Sequence, residues 1–403
     1  MGSEAKPLRV LIIGSGSAGL LFGQVLKQVG IPCTVFEQDA SLQARPRDWN
    51  FGIYWAQSRL DECLTEDLRS LVRGVQTDPS YIPSGESVMP VHHGETESAG
   101  TMESSSQKEK WGKRIKHVET GADSVTVTFE DGTTETGNLL IGAEGAHSIT
   151  REFLLGTEEA ALLQSPCVAS VTITKLDRDA AIALRALHPR YTISFHPDGT
   201  FTWMSIHDCT AEDPGDWVWM LMQTWRSDEP TGLAGDNVLP AMYERGKSFG
   251  YPFNEVFRTI PEDTKVWHNR LAYWPTKPWD SRGGLVTLAG DAAHPMTFHR
   301  GQGLNNAITD AADFLAHLRE MKEHTPEELA AAVKRYEVEL WPRGHEAVLQ
   351  SHENTNAVHD WKTMMQSDLF TGGLAKLSKE EQAAKDEEEA EVAKQATNGG
   401  KET

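Results

Sequence analysis

The sequence predicts an α/β fold in which a parallel sheet, a separate antiparallel sheet and a set of C-terminal helices share one chain. Three observations carry that expectation. Residues 8–13 read Leu-Arg-Val-Leu-Ile-Ile, a nearly continuous apolar run of the kind buried on both faces of a parallel sheet, and it feeds straight into glycines and a helical pattern. Residues 166–274 instead carry alternating segments, the period-two signature of antiparallel strands. Thr325-Pro326-Glu327-Glu328 then has the form of a capping box with proline at the first helical position. It opens a helix to about Trp341, where Pro342 kinks or restarts it. At 403 residues, two lobes are expected. The division we expect is 1–165 together with 276–325 for the parallel part, 166–275 for the antiparallel part, 326–378 for the helices and 379–403 for an acidic tail.

Composition narrows the function classes. Hydrophobic residues at 39% and charged residues at 24% suit a soluble globular chain. A net charge of −21 argues against a nucleic-acid groove, which needs a basic face. Part of that charge sits in KEEQAAKDEEEAE, residues 379–391, read as a solvated terminus. Cys33, Cys63, Cys167 and Cys209 form no CxxC pair, so neither a metal site nor a disulfide framework is expected. No apolar run approaches the ~20 residues of a membrane span. The start of the chain has no signal-peptide core, and Lys6 stands where a myristoylation motif needs Ser or Thr. A cytoplasmic protein is the expectation.

Taken in order, the first apolar strand runs into Gly14-Ser15-Gly16-Ser17-Ala18-Gly19, a full GxGxxG. A helix follows through Leu20, Leu21, Val25, Leu26 and Val29, stopped by Gly30, and a second strand, 33–36, ends on Glu37. A lone GxGxxG is weak; with these flanking elements and this acid it specifies a dinucleotide-binding βαβ unit. Pyrophosphate would sit at the helix start and ribose hydroxyls on the acid. Glu37 would repel a 2′-phosphate, so FAD or NAD is expected rather than NADP. Arg45 and Arg47 suit a further phosphate contact, since guanidinium pairs well with phosphate. Trp49, Phe51, Tyr54 and Trp55 read as core aromatics or as the lining of a pocket for a planar ligand.

Residues 78–107 look irregular, with His92 and His93 read as exposed loop residues. Ile115–Val118 and Ser124–Phe129 alternate, with a turn at Asp131-Gly132, and residues 138–141 form another buried strand closing on Gly142-Ala143-Glu144-Gly145, ahead of Arg151. In the antiparallel part the segments are 168–174, 191–195, 200–206 and 217–225, with a helix near 238–249. Such a sheet is a natural lid over a small-molecule cavity. Leu285–Ala289 is a last buried strand, ended by Gly290-Asp291-Ala292-Ala293-His294-Pro295. Gly301 and Gly303 follow, and a helix opens at Leu304. Glycine allows close backbone approach and free helix amides favour an anion.

Together, GxGxxG at 14–19, GAEGAHS at 142–148 with Arg151, and GDAAHP at 290–295 resemble single-component flavoprotein monooxygenases of the para-hydroxybenzoate hydroxylase type. The resemblance spans about residues 8–345. It implies a Rossmann-like FAD-binding domain, FAD as bound cofactor, NAD(P)H as a transient reductant, since no second GxGxxG exists, and a small-molecule substrate. It assigns Gly14, Gly16, Ser17, Ala18 and Gly19 to the ADP half of FAD, Glu37 to its ribose and Arg45 or Arg47 to a further contact. Glu144 belongs to a motif linked to both FAD and NAD(P)H. Asp291 and Pro295 fall at the ribitol and pyrophosphate side, and Gly301, Gly303, Leu304 and Asn305 face the pyrimidine end of the ring. There are two departures. Glu144 stands where the family has aspartate, and the polar stretch 95–110 replaces an arginine-bearing helix, leaving the chain about 20 residues short there.

The implied reaction is reduction of FAD by NAD(P)H and transfer of one oxygen atom of O₂ to an aromatic or polyketide-like molecule, by hydroxylation or epoxidation. A base is needed only for a phenol, and Tyr191, His207 and Tyr54 are the candidates by residue type. His294 is expected to orient its turn. Flavin halogenases share the first motif, but Trp217–Met222 lacks their Ile-Pro and no lysine stands between Lys27 and Lys108. The competing expectation is a flavin-binding protein without oxygenase turnover, redox-responsive or cyclase-like.

Overall fold

The computed structural model describes residues 8–44, 49–80, 91–93 and 107–364. It begins with β1 (Val10–Ile13), α1 (Ser17–Gln28) and β2 (Cys33–Phe36), the two strands parallel with Val10 opposite Cys33. Both strands are buried throughout, which is why their sequences do not alternate. β3 (Asn50–Gly52), α2 (Gln57–Cys63) and α3 (Glu66–Leu71) follow, then β4 (Val91–His93), paired with β3, and β5 (Gln107–Lys110), parallel to β2. β6 (Ile115–Thr120), β7 (Val125–Phe129) and β8 (Thr134–Gly137) make a small antiparallel sheet, and β9 (Leu139–Gly142) returns beside β1.

α4 (Ile149–Leu155) and α5 (Thr157–Ala160) lead to the second large sheet. Its elements are β10 (Leu163–Lys175), α6 (Arg178–Leu187), β11 (Tyr191–Phe195), β12 (Phe201–Asp208), β13 (Val218–Arg226), α7 (Val238–Gly246), α8 (Phe253–Arg258) and β14 (Trp267–Tyr273). The strands are antiparallel in the order β11-β12-β13-β10-β14. The chain then re-enters the first sheet as β15 (Val286–Leu288) and finishes with α9 (Gly303–Arg319), α10 (Pro326–Val358) and α11 (Trp361–Met364). The parallel sheet has the order β15-β9-β1-β2-β5. Strand order reverses between β1 and β9, and open α/β sheets bind ligands outside the carboxyl ends of the strands at such a point.

Several features differ from the sequence reading. His92 and His93, expected in a loop, lie in β4 and pair with β3. α10 is one helix of 33 residues that runs through Pro342. Proline removes only the bond to the Val338 carbonyl, and Val338 lies on the exposed side of the helix, where solvent can serve that carbonyl. The capping box is also half formed. Thr325 Oγ1 accepts from the Glu328 amide at 3.3 Å, but the Glu328 carboxylate accepts from the Lys322 and Glu323 amides, at 2.6 and 3.0 Å, in place of Thr325. Helices α6 and α8 and strand β14 are additions that the alternation did not reveal.

The larger core lies on the parallel sheet and includes the clustered rings of Phe22, Phe314 and Tyr336, whose centroids are 5.2–5.9 Å apart. Alternation divides the antiparallel sheet. Met204, Ile206, Trp219 and Leu221 face the core shared with α6, α7 and α8. Trp203, Met220 and Met222 face the other way, where they meet Trp49 and Phe298. Each buried apolar side chain contributes about 2 kcal/mol, so a one-residue register slip, which exchanges the two faces, is strongly disfavoured.

Candidate functional site

Three loops converge at the carboxyl ends of β1, β9 and β15. Gly14 has φ +98°, a value suited to glycine, and a Cβ there would lie 2.4 Å from the Ala143 carbonyl oxygen. A Cβ on Gly19 would lie 2.0 Å from the Gly14 oxygen. These two glycines serve packing. At Gly16, by contrast, an added Cβ meets nothing within 4 Å, and the residue is exposed. It stands before an α1 N-terminus that has no side-chain cap and no acid in its first turn, so its amides are directed at open ground and suit an anion. Ala18, in the same turn, is buried against Gly290, where a Cβ would come within 2.7 Å of its own. The first and third motifs therefore touch.

The acids around this ground differ in their commitments. Glu37 Oε2 accepts from the Ser15 amide and hydroxyl, at 2.8 and 3.0 Å, and Oε1 from the Asp39 amide at 3.0 Å, so the carboxylate braces the glycine loop. A carboxylate has about four acceptor positions, which leaves capacity for a ribose hydroxyl. Glu144 Oε1 accepts from Ser148 Oγ at 2.9 Å and the Thr150 amide at 2.7 Å, capping α4, while Oε2 is buried without a partner. The extra methylene relative to aspartate lets it curl into that cap. Asp291 is both surrounded by protein and exposed, the condition of a group in the wall of a concavity. Burial raises its pKa, a rise that His294 and Arg151 oppose and Asp310 adds to. Its Oδ1 stands 3.8 Å from where a Cβ on Gly303 would be, at the start of α9.

Beneath Asp291 lies a network that sequence reasoning missed. Asp310 is fully buried. Its Oδ2 accepts from the Gly290 amide and from His294 Nε2, both at 2.8 Å, and its Oδ1 from Arg343 Nη2 at 2.8 Å. Burial alone would raise its pKa, but His294, Arg343 and the Gly290 amide hold it down to about 2. His294 thus orients the turn, as expected. Arg151, which the second motif includes without a stated role, is a further tie. It is buried over the Trp274 ring and donates to the carbonyls of Ala146, Ala160 and Ala292, tying the β9 turn to the β15 turn. The available signals were modest: an aspartate within the apolar stripe of α9 and an arginine just after a glycine turn.

On the other side of the crevice, Tyr54 fills the space between two glycines. Added Cβ atoms on Gly52 and Gly301 would each come within 2.6 Å of its ring or hydroxyl, and Gly301 has φ +64°. Asn305 binds this segment: Oδ1 accepts from the Tyr54 and Ala56 amides at 2.8 and 3.4 Å, and Nδ2 donates to the Gly52 and Gly301 carbonyls at 2.9 and 3.1 Å. Its side chain is thereby committed to the protein. Leu304 packs against the cluster of Ile53, Ala56 and Ile308. Pro295 accepts from the Trp274 amide at 3.0 Å.

Of the three candidate bases, the structure brings Tyr54 and Tyr191 together at the seam between the two sheets. Tyr191 stacks on Trp203, centroids 5.0 Å apart and planes within 12°. Burial, with Tyr191 adding, pushes the Tyr54 hydroxyl well above its ordinary pKa, and burial raises Tyr191 as well. Both hydroxyls are therefore held as donors. His207 Nδ1 lies 2.6 Å from Asn50 Oδ1, while Asn50 Nδ2 donates to the Ile206 carbonyl at 2.7 Å. Asn50 Oδ1 is then an acceptor, so His207 carries its proton on Nδ1 and its lone pair on Nε2. Arg45, Arg47, residues 95–106 and the tail 379–403 lie outside the described residues. Residues 107–110 form a strand where the resemblance implied a helix.

The family model described as an FAD binding domain matches residues 7–49 and 256–351, the segments that carry the first and third motifs. The FAD-dependent monooxygenase cctM of Talaromyces islandicus is 50% identical over 387 residues, 92% of this chain and 98% of its own. The FAD-dependent monooxygenase phnB of Penicillium herquei is 31% identical over 401 residues, 91% and 94% of the two chains. Among solved structures, Klebsiella pneumoniae HpxO with FAD and uric acid superposes with a TM-score of 0.69 at 20% identity, covering 92% of this chain and 93% of that one. The 2,6-dihydroxypyridine-3-hydroxylase of Arthrobacter nicotinovorans gives 0.67 at 15%, covering 88% and 93%. These two establish likeness of fold.

Proposed function

Because the chain belongs to the FAD-dependent monooxygenases, with FAD as its cofactor, we propose that it uses NAD(P)H and O₂ to hydroxylate or epoxidise a small aromatic or polyketide-like molecule. The observation that carries this reading is the seam itself. Trp49 and Phe298, from the side of the glycine loops, pack in one apolar cluster with Trp203 and Met222 of the antiparallel sheet, a wall whose aromatic content suits a planar ring. Trp203 Nε1 is buried without a partner, and the Tyr54 and Tyr191 hydroxyls are held un-ionised, so the polar groups on this wall are donors suited to a ring oxygen.

When bound, FAD supplies acceptance of hydride from the nicotinamide and the activation of O₂. The chain's own residues hold, orient and shield. Gly16 and Ser17 receive the pyrophosphate and ADP half on a turn that Gly14, Ala18 and Gly19 shape by close packing, Glu37 the ribose, and Asp291 with Pro295 the opposite wall. Gly301, Gly303, Leu304 and Asn305 run beside the ring, Asn305 by ordering the backbone. Tyr54 and Tyr191 donate to substrate oxygen, and His207 Nε2 accepts a proton where the substrate is a phenol. The antiparallel sheet excludes water from the seam. No described helix is long and apolar enough to cross a membrane, and a cytoplasmic site of action fits the reading. The test is a panel of aromatic and polyketide-like compounds, scored for coupled NAD(P)H and O₂ consumption and a product heavier by one oxygen atom. Yellow protein that consumes neither faster with any of them would sink it.

A further inference from the structure

Between the segment that precedes α9 and the last turns of α10 lies a buried chain of polar side chains that the proposed chemistry does not use. His299 is buried, with Nε2 2.9 Å from Thr224 Oγ1 on β13 and Nδ1 2.8 Å from Thr355 Oγ1 on α10. His359, which closes α10, has Nε2 2.8 Å from the same Thr224 hydroxyl and Nδ1 2.6 Å from the Thr355 carbonyl. The two imidazoles meet edge to face at 4.9 Å, and Phe201 lies edge-on to His299 at 4.9 Å. Cys167 Sγ is 3.4 Å from His359 Nδ1.

Donor counting sets the direction of this chain. A carbonyl only accepts, so His359 carries its proton on Nδ1. In the neutral ring Nε2 then accepts, and it takes the single hydroxyl proton of Thr224. Thr224 has only lone pairs left for His299, so His299 carries its proton on Nε2 and accepts from Thr355 at Nδ1. Burial lowers both histidine pKa values. The neighbouring His359 adds to the fall at His299, and at His359 Arg226 adds while the backbone of Thr355 and of Thr224 opposes it.

We infer that His299 is a positioning residue: through Thr224 and Thr355 it locks residues 296–302 between the antiparallel sheet and α10, and so places Phe298 on the substrate wall and Gly301 beside the cofactor. This rests on the reading that residues 301–305 run along the flavin ring. Thr355 also lies 2.7 Å from Thr297 Oγ1, and Ser351 Oγ donates to Met296 Sδ at 3.4 Å, so α10 grips the same segment at three successive points.

The test uses full-length holoenzyme and two readouts, the rate of FAD release followed by flavin fluorescence and the visible flavin spectrum. Thr224→Val is isosteric and His299→Leu removes both bonds. His299→Gln keeps a donor for Thr224, while the Thr355 hydroxyl can turn to the Ser351 carbonyl at 3.0 Å. His299→Leu and Thr224→Val should release FAD about tenfold faster and perturb the spectrum, the loss of a buried hydrogen bond, and His299→Gln should match wild type. As a control, His268→Leu cuts comparable bonds to Ser170 and Thr231 and should leave release unchanged. Wild-type release in His299→Leu, or equal acceleration in His268→Leu, overturns the inference. Gly301→Ala separates the two levels: if it accelerates release and His299→Leu does not, the positioning role alone fails. If neither does, the flavin-side reading fails with it. Independently, ¹⁵N-histidine NMR at neutral pH should show the Nε2–H tautomer for His299 and Nδ1–H for His359, and the opposite tautomers or an imidazolium would overturn the chain.

Discussion

The GxGxxG loop separates two kinds of glycine, and the separation is testable one residue at a time. Gly14 combines positive φ with backbone 2.4 Å from its would-be Cβ, so Gly14→Ala should cost on the order of 1–3 kcal/mol and lower Tm. Gly16 has extended backbone and open surroundings, so Gly16→Val should leave the Tm of flavin-free protein near wild type yet yield colourless protein after gel filtration. Equal losses of Tm in both variants would contradict the division. Asp291→Ala should also abolish flavin retention, because it removes the exposed carboxylate while leaving the Asp310–His294 bonds beneath it in place. Protein still yellow after gel filtration would remove Asp291 from the site.

At the scale of elements, α10 holds the parallel sheet through an acid that titrates near neutrality. Glu337 is buried, and its Oε1 accepts from Trp279 Nε1 and Thr287 Oγ1, both at 2.8 Å. Burial raises its pKa to about 7, against about 4.3 for a free glutamate. Between those values the native state binds the extra proton, so this contribution falls as pH rises through that window and stays lost above it. Glu337→Gln keeps an acceptor oxygen for both donors and never ionises. It should be more stable than wild type at pH about 8 by roughly 1–3 kcal/mol and nearly equal to it at pH about 4, measured by urea unfolding. Asp313, raised to about 7 by burial and Glu339, leaves a residual slope of the same sign in the variant. Identical pH profiles would show that Glu337 is not the titrating group.

At the scale of the whole molecule, the seam joins two sheets with separate cores, so cofactor holding and ring recognition should respond to different mutations. Trp203→Leu removes the platform under Tyr191 without touching the glycine loops. Flavin content should remain, while KM for an aromatic substrate rises about tenfold, near 1.4 kcal/mol and at the upper range for an aromatic pair. Loss of flavin along with affinity would mean the two functions are not separable in this way.

The βαβ unit, the alternating sheet and the positions of the three glycine loops were legible in the sequence alone. Those signals are contiguous: backbone sterics, side-chain periodicity and a glycine requirement act within a few residues, and Gly14 to Glu37 is one uninterrupted stretch. Tertiary structure decided what each side chain spends its bonds on. Asn305 belongs to a motif legible in sequence, yet its amide is committed to backbone some 250 residues away. Asp310 and Arg343, which hold the Gly290 turn in place, stand in separate helices with no local mark of their partnership. Pro342 breaks a local rule and the helix continues, because the bond it forfeits falls on the exposed side of α10. Long-range hydrogen bonds depend on which faces packing brings together, and a linear pattern carries periodicity but not that pairing.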